Sequence, residues 1–311
     1  MVNFKSVPEL LKHFSNERVC WDYLEQRLWK GQPVCPHCQS ATVYRLENYK
    51  QFKCGNKKTC DRKFTVLVGS VFENTKLPLQ KWILAIHLCT ANKKGISSLQ
   101  LSRHLGITQK SAWHMLHRIR QMITPKINRR LKDKIMIDET YCGGRERFKS
   151  KSKKRELAEG KRKIEKTPVL GLLEEDVIGR LIVIKEASNE VVMPVIHSNV
   201  ELDSLIVTDC SSIYAPLRND FKYKGHIAIN HSQGEYVNGD YTTNPIESMF
   251  ACLKRTIYGT YHQISVKHLQ KYCNETMYRF NTRKLKDFER FDYNFISITG
   301  QLKYKDLIKK Q

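Results

Sequence analysis

No run of about 18 apolar residues occurs anywhere in the 311-residue chain, so no segment has the length and greasiness of a membrane-spanning helix. The stretch from Met1 to Leu11 also lacks the apolar core of a secretory leader. The expectation is a cytoplasmic protein with no membrane partner. Acidic residues are scarce as well: 31 Asp and Glu face 54 Lys and Arg, a net charge of +23. Such an excess attracts a polyanion, and Lys and Arg contacts to phosphate supply most non-specific DNA affinity. The aliphatic and aromatic share is ordinary for a folded protein, and the length leaves room for two or three domains.

Ten cysteines are present, but their spacing argues against a disulfide framework. Cys35-Pro36-His37-Cys38, and Cys54 with Cys60 after five intervening residues, form two knuckle-like pairs separated by fifteen residues, near the spacing of a zinc ribbon. Four thiolates around Zn²⁺ replace a core too small to fold alone, with Tyr44, Tyr49, Phe52 and Phe64 as its apolar packing. The second pair is looser than Cys-x₂-Cys, and His37 is a competing ligand. Cys20, Cys89, Cys142, Cys210, Cys252 and Cys273 have no ligand spacing and read as small buried residues in a reducing compartment.

From Leu79 to Ile123 the periodicity is helical. Trp82, Ile83, Ile86 and Leu88 mark one segment, and Leu99, Leu101 and Leu105 the next. Gly106-Ile107-Thr108 breaks the second helix and offers Thr108 as the cap of a third, Gln109 to Met122, as in a helix-turn-helix. Gln109, Lys110, Ser111 and His114 would then face a major groove, with Trp113, Leu116 and Ile119 on the buried side. A plain three-helix packing module is the alternative.

Three carboxylates stand where local structure would fix them. Ile135-Met136-Ile137-Asp138 is an apolar strand ending in an acid before Gly143-Gly144, and Leu205-Ile206-Val207-Thr208-Asp209 repeats the pattern. In Thr242-Thr243-Asn244-Pro245-Ile246-Glu247, Thr243 or Asn244 can cap a helix, Pro245 fits its first position, and Glu247 falls in its first turn. Lys254, two turns on, projects near the Glu247 face, where it can hold a phosphate. Phosphodiester chemistry needs one oxygen activated and another stabilised, which two divalent ions about 3.5–4 Å apart can do. Mg²⁺ or Mn²⁺ takes oxygen ligands, so Asp138, Asp209 and Glu247 suit it. A single Asp at a strand end is more often a turn residue, but the set of three with a downstream Lys points to metal chemistry.

Between Arg145 and Lys166 the chain is dense in Lys and Arg with almost nothing apolar. It reads as a solvated loop, or as a DNA clamp that orders on binding. Pro168–Leu173 and Leu181–Ala187 read as strands joined by a turn around Asp176 and Gly179, in a meander with the Asp138 strand. Ser188–Ile196 starts a helix weakened by Pro194, and His226–Asn230 is a further strand. The order fits an α+β or α/β domain with a mixed sheet. His231 and His262 lie near the carboxylate segments, although a lone His is more often structural.

Ile137-Asp138-Glu139-Thr140-Tyr141-Cys142-Gly143-Gly144, His231-Ser232-Gln233-Gly234-Glu235-Tyr236, Asn244-Pro245-Ile246-Glu247-Ser248 and Lys254-Arg255 together resemble the DDE transposases of bacterial insertion sequences, in the clade related to Merlin elements. Gly259-Thr260-Tyr261-His262, Lys267-His268-Leu269 and Arg279-Phe280-Asn281-Thr282-Arg283 extend the resemblance, which runs from about residue 8 to about residue 285. It implies an RNase H-like core whose Asp138, Asp209 and Glu247 bind catalytic metal, assisted by Lys254. Some members of this group carry Asn as the third metal residue, and Asn244 sits one turn before Glu247. Glu247 ranks first as the stronger Mg²⁺ ligand.

The organisation implied is a zinc ribbon with short N-terminal helices over 1–70 and a helix-turn-helix module over 71–130. A catalytic domain over 131–290, with a basic insertion at 145–167, and a C-terminal tail over 291–311 complete it. The function implied is a nucleoid-associated DNA transposase. It would bind the terminal inverted repeats of its element, cut with metal-activated water, and join the freed 3′ hydroxyl to target DNA as a homo-oligomer in a synaptic complex. A nuclease that cuts without joining, and a DNA-binding regulator, are the alternatives.

Overall fold

The computed structural model describes residues 2–124, 129–144, 149–161, 166–230, 237–239, 241–296 and 298–309. It contains two compact units, one of residues 1–124 with 282–311 and one of residues 125–281.

The first unit begins with helices α1 (Val7–His13) and α2 (Glu17–Trp29), capped by Ser6 and Asn16 side chains that accept from the Glu9 and Val19 N–H groups. A small antiparallel sheet follows, β1 (Val43–Arg45), β2 (Phe52–Cys54) and β3 (Lys63–Phe64). Then come α3 (Leu79–Ala91), α4 (Ser98–Leu105) and α5 (Gln109–Met122). Gly106 is left-handed at φ 58° and ends α4, and Thr108 accepts from the Ser111 N–H to open α5, as the local sequence requires. The chain returns to this unit with α10 (Asp287–Tyr293) and α11 (Tyr304–Ile308). Phe291 and Phe295, both buried, pack mostly edge-on or tilted in a cluster with Phe4, Phe14 and Tyr23 at ring separations of 5.1 to 6.4 Å. The last thirty residues therefore complete a core begun by the first twenty-five.

The second unit is built on a five-stranded mixed sheet in the order β6-β5-β4-β7-β8. Its strands are β4 (Lys134–Cys142), β5 (Thr167–Glu174), β6 (Ile178–Val183), β7 (Leu205–Asp209) and β8 (Gly225–Ile229). β4, β5 and β6 are antiparallel neighbours, whereas β7 and β8 run parallel to β4. This is the RNase H-like mixed sheet, and its central strands are apolar on both faces because both are covered. One face packs on α7 (Asn189–Asn199) and a 3-10 stretch over Ser212–Asn219, through Ile135, Ile137, Leu172, Ile196, Ile206 and Tyr214. The other packs on α8 (Asn244–Thr256) and α9 (Val266–Asn281), through Met136, Leu173, Val207, Met249, Phe250 and Cys273.

Three local expectations are revised. β6 starts at Ile178 and ends at Val183, with the turn tightened to Asp176 at φ 54°. Gly179 lies inside the strand, because a Cβ there would meet the Met249 sulfur at 2.6 Å. The basic segment holds an exposed helix, α6 (Lys151–Ala158), capped by Ser150 and supported by Ser152–Glu156 and Arg155–Glu159 contacts one turn apart. Helix-forming Lys, Arg, Glu and Ala suffice for this without any apolar face. Residues 145–148 and 162–165 of that segment lie outside the described residues.

Candidate active site

Strand register brings the first two acids together. β4 and β7 pair in parallel with Met136 opposite Val207, so Asp138 and Asp209, two residues on in each strand, share the α8 face at the same height. Directly across the antiparallel pair, Gly171 stands opposite Asp138. A Cβ at Gly171 would lie 2.7 Å from the Phe250 ring and 3.1 Å from Ile246. That missing side chain lets α8 settle onto the sheet beside Asp138. Ile246, Met249, Phe250 and Leu253 form its buried stripe, and Glu247, adjoining Ile246, stays exposed in the first turn.

Thr243 occupies the cap position of α8, yet it makes no side-chain cap bond. Thr243 is buried instead, its carbonyl accepting from Ile246 and Glu247 N–H groups. Asn244 begins the helix, exposed, with its N–H donated to Thr242 Oγ1 at 3.2 Å. Lys254 is exposed two turns beyond Glu247. Its charge acts on Cys142 at the end of β4, opposing the burial that pushes that thiol up to about 11.

The electrostatics are those of crowded acids. Burial pushes the Asp138 carboxyl up to about 7 although it accepts the Glu139 N–H at 2.7 Å, and the charges of Glu139, Asp209 and Glu247 push in the same direction. Glu139 is also raised, first by burial, with the Tyr214 hydroxyl working against this by donating to Oε2 at 2.7 Å. Asp209 Oδ1 accepts the Ser211 N–H at 3.1 Å. An all-oxygen set that raises the proton affinity of its own member suits a hard divalent cation, which relieves the mutual repulsion. Glu139 was not singled out from the sequence. Its place beside Asp138 in the middle of β4 was the available signal.

Cys35, Cys38, Cys54 and Cys60 place their sulfurs within 4.8 Å of one another, with Cys35–Cys60 at 3.7 Å and Cys38–Cys54 at 3.5 Å. A tetrahedron of Zn–S bonds of about 2.3 Å needs sulfurs about 3.8 Å apart, so the four fit Zn²⁺. Burial opposes the Cys35 thiolate, but backbone N–H groups of His37 and Cys38 and the neighbouring thiols bring it down to about 7. His37 is exposed and outside the cluster. Phe52 and Phe64 are buried there, whereas Tyr44 is exposed, and Trp29 from α2 packs edge-on against both phenylalanines instead. Of the other cysteines, Cys20, Cys89, Cys142 and Cys273 are buried, but Cys252 is half-buried and Cys210 is exposed.

On α5, Gln109 and Lys110 are exposed and Ser111 closes the Thr108 cap. His114 is half-buried, its Nε2 3.0 Å from the Leu302 carbonyl. Tyr304 lies edge-on to His114 and Trp113 and under the Lys110 ammonium at 4.7 Å. Arg118 and Gln121 donate to the Leu302 and Gly300 carbonyls. The Lys110–His114–Arg118–Gln121 stripe is thus engaged by residues 300–304, which no local pattern in α5 could announce. His231 lies outside the described residues, and His262 is exposed after a π-helical turn over Ile257–Tyr261.

Residues 130–281 match the family model described as the ISXO2-like transposase domain, and residues 15–63 match the transposase zinc-ribbon domain. A protein of Halobacterium salinarum, described as an uncharacterized protein in transposable element ISH50, is 30% identical over 271 residues, covering 84% of this chain and 90% of that protein. No solved structure matches the chain. With both of those domains in this order, and with that similarity running over most of its length, the chain belongs to the IS1595 family of DDE transposases.

Proposed function

We propose that this insertion-sequence transposase binds the ends of its element, cleaves DNA in a metal-dependent step, and transfers the freed 3′ hydroxyl to target DNA. The observation that carries the chemistry is the register of Asp138 beside Asp209 beneath Glu247, with the Asp138 carboxyl held near 7 by burial and its acidic neighbours. Asp138, Asp209 and Glu247 hold Mg²⁺ or Mn²⁺, which supplies activation of the attacking oxygen and stabilisation of the leaving one. Glu139, which accepts a hydrogen bond from the Tyr214 hydroxyl, adds a further acid beside Asp138. Lys254 contacts a phosphate of the bound strand from α8. Zn²⁺ on the four cysteines makes the ribbon a rigid body. Ribbon and three-helix module together recognise the terminal repeats, with Gln109, Lys110, Ser111 and His114 as the groove-facing residues of α5. Two ends must meet, so the working form is a homo-oligomer.

The test is strand cleavage and joining on DNA from the flanks of the encoding gene, with Mg²⁺ or Mn²⁺, for wild type beside Glu247→Gln and Asn244→Ala. Loss in Glu247→Gln with retention in Asn244→Ala supports the assignment of the third ligand, and the reverse transfers that role to Asn244. Cleavage without joining indicates a nuclease, and binding without strand chemistry in the wild type indicates a regulator.

A further inference from the structure

Immediately beyond the α8 helix that carries Glu247 and Lys254, the backbone does something costly. Residues Ile257–Tyr261 widen into a π-helical turn, the His262 N–H donates to the Ile257 carbonyl, and His262 itself sits at φ 59°, ψ −57°. The Gln263 N–H closes back onto the Tyr261 carbonyl at 2.6 Å. This is the positive-φ γ-turn, rare and strained for a residue with a side chain. Strain of this kind persists only where the surroundings over-determine it, and it clusters at ligand clamps.

The surroundings do over-determine it. The Tyr261 hydroxyl donates to Glu275 Oε1 at 2.6 Å, Arg279 donates to the same oxygen at 2.6 Å, and Glu275 is fully buried on α9. Tyr261 also packs edge-on to Tyr272 at 4.7 Å. The turn is therefore bolted to the core while its next residue, His262, points its chain away from ordinary geometry into the exposed surface.

That turn forms one wall of a cleft of about 630 Å³, within the about 300–1,000 Å³ usual for ligand sites. Tyr258, His262 and Gln263 line it from this side, and Gly144, Lys149 and Lys153 line it from the loop after β4 and the start of α6. A Cβ at Gly144 would meet the Lys149 ammonium at 3.1 Å, so the glycine keeps that cation at the cleft. No carboxylate lines the cleft among the described residues. Two ammonium groups and an imidazole suit a phosphate, and the Tyr258 ring, anchored in the α8–α9 core, suits the flat face of a base. A duplex is excluded by size, and its bases are already stacked on one another.

We propose that this cleft binds one unpaired nucleotide of the DNA strand next to the cut, with its base against Tyr258 and its phosphate held by Lys149, Lys153 and His262. Gly144 lies two residues past the end of the Asp138 strand, and Tyr258 lies one turn past Lys254, so a strand leaving the carboxylates reaches it directly. The proposal rests on the transposase reading above and deepens it. An extruded base also gives selectivity, because unpairing is easiest at a mismatched or already opened step.

The experiment uses the full-length, zinc-loaded protein with flanking-end duplexes carrying 5-iodouracil at single positions across the cut, irradiated with Mg²⁺ and Mn²⁺ left out so that no cleavage occurs. The expected result is a crosslink from one position beside the cut to the peptide containing Tyr258 to Gln263, with crosslinks lost in Tyr258→Ala and kept in Tyr258→Phe. Affinity for DNA with one unpaired nucleotide at that position should fall roughly 5- to 150-fold in Tyr258→Ala, the range of lost base–aromatic stacking. Lys153→Ala, at an exposed helix position, should weaken the same DNA without touching the fold. End DNA that binds but crosslinks only elsewhere overturns the proposal, as does unchanged affinity in Lys153→Ala and Tyr258→Ala. Crosslinking at Tyr258 in a wild type that performs no strand chemistry upholds the pocket and sinks the transposase reading instead.

Discussion

Asp138→Asn should stabilise the protein without Mg²⁺ or Mn²⁺ while abolishing its strand chemistry. The carboxyl titrates at about 7 in the fold against an ordinary 3.8, because it is buried among Glu139, Asp209 and Glu247. An acid whose folded pKa is raised gives stability that is complete below its unfolded pKa and is lost as pH rises through the folded value. The window is therefore about 3.8 to 7. About three pK units at 1.36 kcal/mol each place the cost of the ionised group near 4 kcal/mol at about pH 8 as an upper figure. Asn removes the charge and keeps an oxygen for the Glu139 N–H, so a net gain of about 1–3 kcal/mol is expected once solvent relaxation is allowed for. Melting of zinc-loaded wild type and variant without added Mg²⁺ or Mn²⁺ should then differ by roughly 3–10 °C at about pH 8. The gap should shrink steadily as the pH is lowered toward about 4. Adding Mg²⁺ should raise the wild-type midpoint by mass action and leave the variant nearly unmoved, while strand cleavage falls at least about 100-fold. A variant that melts below wild type at about pH 8 without added Mg²⁺ or Mn²⁺, or a gap independent of pH, refutes the reasoning.

Three further outcomes follow from the geometry. Gly171→Ala should cost about 1–3 kcal/mol by overpacking against Phe250 and should depress strand chemistry by lifting Glu247. Urea denaturation and cleavage assays report both, and recovery in Gly171→Ala with Phe250→Leu locates the cause in that contact. Chelation of the ribbon metal, or Cys35→Ser, should unfold β1–β3 and free Trp29, read as a Trp fluorescence change with loss of end binding; a ribbon that keeps its spectrum without metal contradicts the zinc assignment. Tyr304→Ala should release Lys110 and His114 and raise affinity for end DNA roughly 2- to 5-fold, the scale of one exposed cation–π contact. Unchanged affinity would place the groove-reading surface away from this stripe of α5.

What the sequence disclosed is what local chemistry controls. Ile135–Asp138 and Leu205–Asp209 announce strands because β-branched and apolar runs have few alternatives, and the mixed sheet around them follows. Gly106 and Thr108 mark a helix end and a helix start through backbone requirements of their own. The cysteine spacing is likewise local. What stayed hidden depends on partners far along the chain. Nothing near Tyr44 says that Trp29 will take its place in the ribbon, and nothing near Phe291 names Phe4. Gly179 looks like a turn residue until Met249 is seen to need its space. Glu139 becomes part of the acidic cluster only when Tyr214 and Asp209 are brought beside it. The strained His262 is set by a buried Glu275 that lies thirteen residues later.

The return of residues 282–311 to the first unit makes the second unit an insertion, with both of its ends continuing into the first. Synthesis then runs against assembly. Helices α1 and α2 leave the ribosome first, but the core around Phe4, Phe14 and Tyr23 waits for Phe291 and Phe295, with the buried Ile298 and Leu307 still to follow. The inserted unit has all its strands and α9 by Asn281, so it can close before the unit that precedes it. A chain stopped short by some thirty residues would hold a finished mixed-sheet unit and an unfinished ribbon-bearing one, so premature termination would spare the inserted fold and spoil the one that frames it.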